Sequence, residues 1–175
     1  MIIRSATPLD GPAIAAVRVT SWRGAYRGTV PDSYLEKMPS NESHWCKLAS
    51  GGEPGTELLV CEADGRIVGF ACYGAARLPH FDYSGELHAT YFLPEAIGKG
   101  YGAATMLEAM KRLKRLGHDD MMLWLMQNNV RGRRFYESFG GVEIASSRRS
   151  FEIDGKTIWE VAYGFRPLPV TAANR

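Results

Sequence analysis

The 175-residue sequence lacks several features that would place it in a specialised class of protein. Its three cysteines, at positions 46, 61 and 72, are odd in number and have no metal-ligand spacing, so we expect reduced thiols and no metal site. No apolar run is long enough to cross a bilayer. Arg4, Pro8 and Asp10 interrupt the segment in which a signal peptide needs continuous apolar sequence. We therefore expect a cytoplasmic protein without a membrane partner.

The chain also lacks a strong charge of one sign. Its 21 Lys and Arg residues are nearly balanced by 19 Asp and Glu residues, which gives a formal net charge of +2 and argues against nucleic acid as the main partner. Internal repeats, low-complexity stretches and domain linkers are absent from the sequence. At this length we predict one domain over residues 1–166, followed by a flexible tail at 167–175.

Hydrophobic periodicity and turn signals predict the element order β-α-α-α-β-β-β-α-β-α-β-β. The predicted strands lie at residues 1–6, 57–63, 66–75, 83–93, 121–126, 142–153 and 157–165. The predicted helices begin at residue 8 and cover residues 31–38, 41–50, 101–116 and 129–139. This order favours a mixed α/β (α+β) fold, in which a central, mostly antiparallel sheet of about seven strands has helices on both faces.

The most informative segment is residues 85–102, which combine a strand that stops before Pro94, a glycine-rich turn and the start of a long amphipathic helix. Gly98, Gly100 and Gly102 have no Cβ, so the backbone can turn tightly and direct its N–H groups at an anion. The following helix directs the positive end of its dipole at the same place. The spacing therefore predicts a binding site for phosphate oxygens.

Three segments together carry a resemblance to a known family. They are Trp22-Arg23-Gly24-Ala25-Tyr26-Arg27-Gly28, Ile97-Gly98-Lys99-Gly100-Tyr101-Gly102, and the helical stretch Asn128–Gly140 with its Phe135-Tyr136-Glu137 core. Over roughly residues 1–166 the chain resembles the GCN5-related N-acetyltransferase (GNAT) superfamily, of the bacterial small-molecule or protein acetyltransferase type. The resemblance implies a GNAT-like fold and transfer of an acetyl group from acetyl-CoA to a primary amine by direct attack in a ternary complex.

The resemblance also implies where acetyl-CoA binds. Its pyrophosphate would lie on the backbone amides of residues 98–103, and its pantetheine arm would pair with the end of the 83–93 strand. Asn129 would bind the pantetheine, serve as a helix N-cap, or do both. Ile97 replaces the family's usual Gln or Arg, which removes one polar contact, while Lys99 can supply charge. The implied cofactor-binding residues are Phe92, Leu93, Ile97, Gly98, Lys99, Gly100, Tyr101, Gly102, Ala103, Asn129 and Tyr136.

Tyr136 matches the family tyrosine that protonates the departing CoA thiolate. A phenol near pKa 10 can donate to a thiolate whose thiol titrates near 8.5, although the tyrosine can instead be helix core. Backbone N–H groups near Leu93 would polarise the thioester carbonyl. Strand alternation places Glu86 and His88 on the same face of the 83–93 strand. Glu86 is the candidate base for the attacking amine, with His88 or a water chain as alternatives. The structural explanation for Glu86 is a solvated strand end.

Trp22 and Tyr26, four residues apart on a predicted helix, would form an aromatic wall for the substrate or belong to the core. The expected partner is a small-molecule or peptide amine, and homodimerisation stays open. Two other functions are compatible with the sequence. One is a non-catalytic CoA-binding or regulatory domain. The other is a Rossmann-type nucleotide binder, because Gly98-x-Gly100-x-x-Ala103 nearly matches that fingerprint.

Overall fold

The structure, a computed structural model, describes residues 1–77 and 81–169 of the chain. Its strands are β1 Ile2–Ser5, β2 Thr56–Ala63, β3 Arg66–Ala75, β4 Gly85–Phe92, β5 Met121–Met126, β6 Val142–Glu143, β7 Arg149–Ile153 and β8 Lys156–Phe165. Its α-helices are α1 Gly11–Ala25, α2 Asp32–Lys37, α3 Glu42–Ala49, α4 Tyr101–Arg115 and α5 Val130–Glu137. Short 3₁₀ turns at Pro8–Asp10 and Pro94–Ala96 precede α1 and the glycine-rich turn.

The strands form one sheet in the order β1-β2-β3-β4-β5-β8-β6, and β7 also pairs with β8. The β4–β5 pair is parallel and the other pairs are antiparallel, which confirms the predicted mixed sheet. The prediction of a single strand over residues 142–153 is wrong. Ser146 has a positive φ of 59° that interrupts the extended chain, and Ser147 Oγ accepts the Ala162 N–H at 2.9 Å. The sheet therefore has eight strands.

Helices cover both faces of the sheet. On one face α1 and α3 pack through Ile14, Val17, Trp45 and Leu48 against apolar side chains of β2 and β3. On the opposite face α4 and α5 pack against β3, β4, β5 and β8, with Met106, Met110, Leu113 and Tyr136 among the core residues. Successive side chains of β2 and β3 point to opposite faces of the sheet, so the same two strands contribute residues to both cores.

The start of α1 is fixed by Asp10. Its carboxylate accepts hydrogen bonds from the Thr7 N–H at 2.7 Å and the Thr7 hydroxyl at 2.9 Å, and from two Arg4 nitrogens at 2.7 and 2.9 Å. These bonds, led by those from Arg4, outweigh the effect of burial and lower the pKa of Asp10 to about 2. These bonds therefore tie β1 to the first helix.

The chain just after β8 differs from the predicted tail. Leu168 is only 3% exposed, packs in the core on the α4 side, and donates its N–H to the Asp119 carbonyl at 2.9 Å. The expectation of a loose segment from residue 167 is therefore wrong at this position, because an apolar side chain finds a place in the core. Residues 170–175 of the predicted tail lie outside the described residues.

Two irregularities in β4 shape the centre of the molecule. Its pairing with β5 covers only Gly85–Met121, Glu86–Met122 and Leu87–Leu123, so the two strands diverge beyond this point. A β-bulge leaves His88 unpaired between the Tyr73–Leu87 and Cys72–Ala89 pairs. The bulge shifts the alternation, so Leu87 packs on the α4 side whereas Ala89 packs on the α1 side.

Candidate active site

A cavity of about 710 Å³ lies where β4 and β5 diverge. It is lined by β4 from Leu87 to Phe92, by β5 from Leu123 to Leu125, by the glycine-rich turn and the start of α4, and by residues of α1 and α5. A cavity of this size can enclose a large part of a cofactor. The cavity therefore begins where the hydrogen-bonded pairing of the parallel strands β4 and β5 ends.

The glycine-rich turn presents main-chain donors to this cavity. Gly98 and Gly100 have φ angles of 81° and 79°, and a Cβ at either position would meet nothing within 4 Å, so backbone conformation rather than crowding requires glycine here. Gly100 is the N-cap of α4, and its carbonyl accepts the Ala104 N–H at 3.1 Å. The N–H groups of residues 101–103 precede that first helical bond and therefore have no partner within the helix. This arrangement suits an anion.

The predicted cofactor residues divide into two groups. Eight of them line the cavity: Phe92, Ile97, Gly98, Gly100, Gly102, Ala103, Asn129 and Tyr136. Leu93, Lys99 and Tyr101 are not among its lining residues. Ile97, the departure from the family pattern, is 39% exposed at the cavity edge.

The edge of β4 supplies further donors. The Leu93 N–H, expected to lie near the reacting carbonyl, donates instead to the Val68 carbonyl at 2.9 Å. Alternate residues of an antiparallel ladder direct their N–H groups to the same side. Since Leu93 bonds towards β3, the N–H and C=O groups of Thr90 and Phe92 are directed the other way, into the gap beside β5. An extended amide chain can therefore hydrogen-bond along this edge.

Three tyrosines from different elements line the cavity: Tyr26 after α1, Tyr91 on β4 and Tyr136 on α5. Tyr136 is 9% exposed and packs against Phe135 and Phe165, with ring centroids 5.3 and 6.5 Å away. Burial raises the pKa of all three phenols, so each hydroxyl stays protonated at neutral pH. Trp22 stacks edge-on against Tyr26 at 4.9 Å behind the cavity rather than lining it.

Asn129 has one of the two roles that the sequence left open, the helix N-cap, in a position compatible with the other. Its Oδ1 accepts the Gly132 N–H at 2.8 Å, which makes it the N-cap of α5. The residue also lines the cavity. A Cβ at Gly132 would lie 2.7 Å from Asn129 Nδ2, so glycine at position 132 leaves room for the amide. The cap therefore fixes an amide at the cavity wall.

Glu86 does not line the large cavity and is engaged elsewhere. It is 3% exposed, and its carboxylate accepts the Arg77 N–H at 2.9 Å and Arg77 Nε at 3.1 Å, together with a bond from Arg77 Nη2. Burial alone would raise the pKa of Glu86, but the bonds from Arg77 outweigh it and lower the pKa. This geometry is unfavourable to the prediction that Glu86 accepts the amine proton.

His88, at the bulge, does line the cavity. Its Nε2 lies 3.1 Å from the Ala75 carbonyl, so Nε2 carries the proton and donates it. Its Nδ1 is then an acceptor, 3.8 Å from Cys72 Sγ. Burial lowers the pKa of His88, which keeps the imidazole neutral at pH 7. The ring therefore carries an unprotonated nitrogen, Nδ1, whose neighbour is the Cys72 thiol.

Several lining residues were missed by the sequence analysis, among them Tyr91, Trp124 and Phe135. Trp124 interrupts the buried run of β5 as its only partly exposed member, and the Arg149 guanidinium stacks 3.5 Å from its ring centroid. An aromatic residue in an apolar strand has no distinguishing local pattern, so only the divergence of β4 and β5 identifies it. Within residues 1–77 and 81–169, no cluster of His, Cys, Asp or Glu is placed to hold a metal ion.

Comparison with known proteins gives consistent results. A sequence model of the acetyltransferase (GNAT) family matches residues 19–141. The uncharacterized N-acetyltransferase YuaI of Bacillus subtilis is 30% identical over an alignment of 177 positions, which covers 99% of this chain and 98% of the relative. PaiA N-acetyltransferase from Thermoplasma acidophilum, solved in complex with coenzyme A, is 22% identical with a TM-score of 0.68, covering 91% of this chain and 96% of that one. YncA from Salmonella typhimurium, solved with its cofactor acetyl-CoA, is 21% identical with a TM-score of 0.71, covering 98% and 96%.

The fold and the matched sequence define the class of protein: the chain belongs to the acetyltransferase (GNAT) family. The predicted superfamily, fold class and enzyme class, an acyltransferase, are thereby confirmed. The Rossmann alternative is wrong, because that fold needs a mostly parallel sheet and the described sheet has one parallel pair. In the part of the chain that the structure describes, no helix has the length and hydropathy needed to span a membrane.

Proposed function

We propose that this chain is an N-acetyltransferase that transfers the acetyl group of acetyl-CoA to a primary amine by direct attack in a ternary complex. Acetyl-CoA is the acyl donor of the family to which the chain belongs. The observation that carries the proposal is the opening between β4 and β5, which leads directly onto the N–H groups of the glycine-rich turn. The coenzyme A and acetyl-CoA in the PaiA and YncA structures support it.

In this proposal the main chain binds the donor. The pyrophosphate lies on the N–H groups of residues 98–103, where the α4 dipole favours negative charge. The pantetheine amides pair with the free edge of β4, and Asn129 adds an amide from α5. The Phe92 N–H is the nearest main-chain donor for polarising the thioester carbonyl, in place of the N–H of Leu93.

Side chains then handle the protons. An alkylamine titrates near 10.4 and must lose a proton before it attacks. His88 accepts that proton through water, because His88 lines the cavity, its Nδ1 is unprotonated and Glu86 is bound by Arg77. Tyr136 donates a hydrogen bond to the CoA sulfur as the C–S bond breaks, and its raised pKa keeps the hydroxyl protonated throughout the neutral range.

Direct attack is favoured over an acyl-cysteine relay. Cys46, Cys61 and Cys72 are free, and none of them lines the large cavity. Burial raises the pKa of Cys72, the thiol beside His88, to about 12, so it stays protonated and is a poor nucleophile. Cytoplasmic localisation stays a prediction.

The test is CoA release by the purified chain across a panel of small and peptide amines, with each product identified by mass spectrometry. We expect amine-dependent release of CoA and an N-acetylated product. Saturable binding of acetyl-CoA without transfer to any amine would instead identify a non-catalytic CoA-binding domain. Failure to bind acetyl-CoA at all would contradict the proposal at its first step.

A further inference from the structure

A second cavity, of about 350 Å³, lies beside the first on the α1 and α3 side of the sheet. His88 and Ala89 line both cavities. Along α1, Arg18 lines the second cavity, whereas Ser21 and Ala25 line the first. Residues spaced by three and seven share one face of a helix, and Arg18 precedes Ser21 by about 4.5 Å along the axis. The two cavities are therefore neighbours along one helix face.

One wall of the second cavity is formed by Trp45, whose buried indole N–H lacks an acceptor within the described part of the chain. Trp45 of α3 lines the cavity and is 6% exposed. Its indole Nε1 is buried and has no hydrogen-bond partner among the residues that the structure describes. A buried unpaired donor is costly, and native proteins rarely retain one. A ligand whose acceptor atom displaced the cavity wall and reached this N–H would satisfy it.

The charged groups at this cavity balance in number, Arg18 and Arg77 against Glu53 and Glu86, but only Arg77 and Glu86 form an ion pair. Arg77 is paired with Glu86, and the charge of Glu53, which also lines the cavity, acts on Arg77 as well. Arg18 donates one bond to the Pro39 carbonyl at 3.2 Å and, within the described residues, has no carboxylate within 4 Å. Its positive charge also acts on the Tyr91 hydroxyl in the first cavity. A guanidinium with free N–H groups is suited to a carboxylate.

We propose that the second cavity binds a carboxylate of the acceptor, so that the substrate is a carboxylate-bearing amine of amino-acid size. Arg18 and the Trp45 N–H hold the carboxylate over the apolar surface of Leu48 and Cys72. The amine then extends past Ala89 and His88 into the first cavity, where the thioester lies. This inference rests on the proposed function and names the substrate class for that site.

The test compares each carboxylate substrate with its own carboxamide. The panel contains α-amino acids and the ω-amino acids from glycine to 6-aminohexanoate, each assayed beside its amide for kcat/KM of acetyl transfer. We expect at least one acid to exceed its amide by about tenfold or more, since only the acid pairs with Arg18. Arg18→Gln should reduce kcat/KM for that acid about tenfold, mainly through KM, and leave the amide unchanged.

Two further variants sharpen the result. Trp45→Phe removes the N–H and keeps an aromatic ring. It should lower kcat/KM for the carboxylate substrate about fivefold, with little effect on kcat/KM for the amide. Arg23→Gln is the matched control, because Arg23 lies on the same helix and donates to the Leu35 and Glu36 carbonyls at 2.8 and 2.9 Å but does not line the cavity. It should leave the preference for the acid intact.

The outcomes separate the inference from the proposed function. Amides acetylated as well as their acids, or an acid preference that survives Arg18→Gln, would overturn the inference and leave the acetyltransferase intact. Absence of transfer to every amine would contradict the proposed function. Calorimetric titration of the same amino acids without acetyl-CoA reads the carboxylate site directly. Binding of the amino acids that does not depend on Arg18 would overturn the inference even if no acetyl transfer is detected.

Discussion

The two cavities meet at His88 and Ala89 but are built in opposite ways. The larger one presents main-chain groups, from residues 98–103 and from the free edge of β4. The smaller one presents side chains, chiefly Arg18 from α1 and Trp45 from α3. One site is determined by backbone conformation in a short segment, and the other by the packing of helices that are distant in sequence.

This difference has a consequence for specificity. A main-chain N–H is present whatever the side chain. Substitutions therefore affect the larger site mainly by changing the backbone angles φ and ψ. A side-chain site loses its charge or its donor in a single substitution. We therefore expect binding of the donor to tolerate most side-chain changes, and selection of the acceptor to change readily.

Tyr136 provides the strongest challenge to this comparison, since it is a side chain in the main-chain cavity. Tyr136→Phe removes the proton donor for the CoA sulfur and keeps the packed ring. We expect kcat to fall about 100-fold, the lower range for a general acid. The Kd for acetyl-CoA should change less than about twofold, because the main chain supplies that affinity. Steady-state kinetics and calorimetry measure the two quantities.

Tyr163→Phe is the matched control for this variant. The Tyr163 hydroxyl donates to Glu137 Oε1 at 2.8 Å, next to Tyr136 on α5, but Tyr163 does not line the cavity. Its loss should leave kcat near that of the wild type. Unchanged turnover in Tyr136→Phe would reject the acid role and leave the ring as core packing alone.

His88 lines both sites, and its substitution tests which group accepts the amine proton. We expect His88→Gln to lower kcat/KM about 30-fold at pH 7. In the wild type, kcat/KM should decrease at pH values below the pKa of His88. Burial keeps that pKa under the usual histidine value near 6.5. This acid limb should disappear in the variant, as a pH profile of kcat/KM would measure.

Glu86→Gln distinguishes a structural carboxylate from a catalytic one. Because the bonds from Arg77 lower the pKa of Glu86, the carboxylate stabilises the fold above its unfolded pKa, and that stability is lost as the pH falls through the folded value. We expect a lower melting temperature at pH 7 and a kcat/KM within about threefold of wild type. If the acid limb of the kcat/KM profile disappeared in Glu86→Gln and remained in His88→Gln, Glu86 rather than His88 would be the base.

The sequence predicted the elements near the donor site most accurately. The strand at 121–126 has the same bounds in the structure, and the helix after the glycine turn begins at Tyr101 as expected. A run of apolar residues and a pair of positive-φ glycines are local signals. The predicted 142–153 strand failed because a non-glycine residue, Ser146, takes a positive φ, which its sequence context did not indicate.

The candidate site could be predicted only where its groups belong to one segment. Gly98, Gly100 and Tyr136 were found from motifs, and all three line the cavity. Glu86 was placed with His88 by strict strand alternation, and the bulge at His88 breaks that alternation. Arg18 and Trp45 come together only through packing of α1 on α3, so no spacing in the sequence indicates a joint site.

A backbone substitution sharpens the comparison from the donor side. Gly100→Ala forces an L-residue to adopt a φ near 79°, at a cost of about 1–2 kcal/mol, while its Cβ meets nothing within 4 Å. We expect the turn to relax and the Kd for acetyl-CoA to rise about five- to tenfold. Turnover at saturating donor should change less than twofold. Calorimetry and saturation kinetics test both expectations.

Gly65→Ala is the control for this strain. Gly65 has a φ of 72° and equally open surroundings, but it lies in the β2–β3 turn away from the cavity. Both variants should lose similar stability, measured by urea unfolding, and only Gly100→Ala should lose affinity for the donor. A loss of affinity in both would mean that general destabilisation, not the geometry of the turn, is responsible.

The smallest effect on activity is expected from Asp10, which fixes the start of the helix that carries Arg18. Asp10→Asn should lower the free energy of unfolding by about 1–2 kcal/mol at pH 7, because the variant loses charged bonds from Arg4. The pKa of Asp10 is about 2 in the fold against an ordinary 3.8, so its contribution is complete above about pH 4 and is lost as the pH falls towards 2. Urea unfolding of both proteins across this range measures the difference.

Asp64→Asn, at an exposed turn position whose φ of 52° asparagine tolerates, is the control and should change stability little. The acid preference of transfer should survive Asp10→Asn, since α1 still packs on the sheet through Ile14 and Val17. If that preference fell together with stability, the carboxylate site would depend on the anchoring of the whole helix. Arg18 alone would then be an insufficient explanation of acceptor choice.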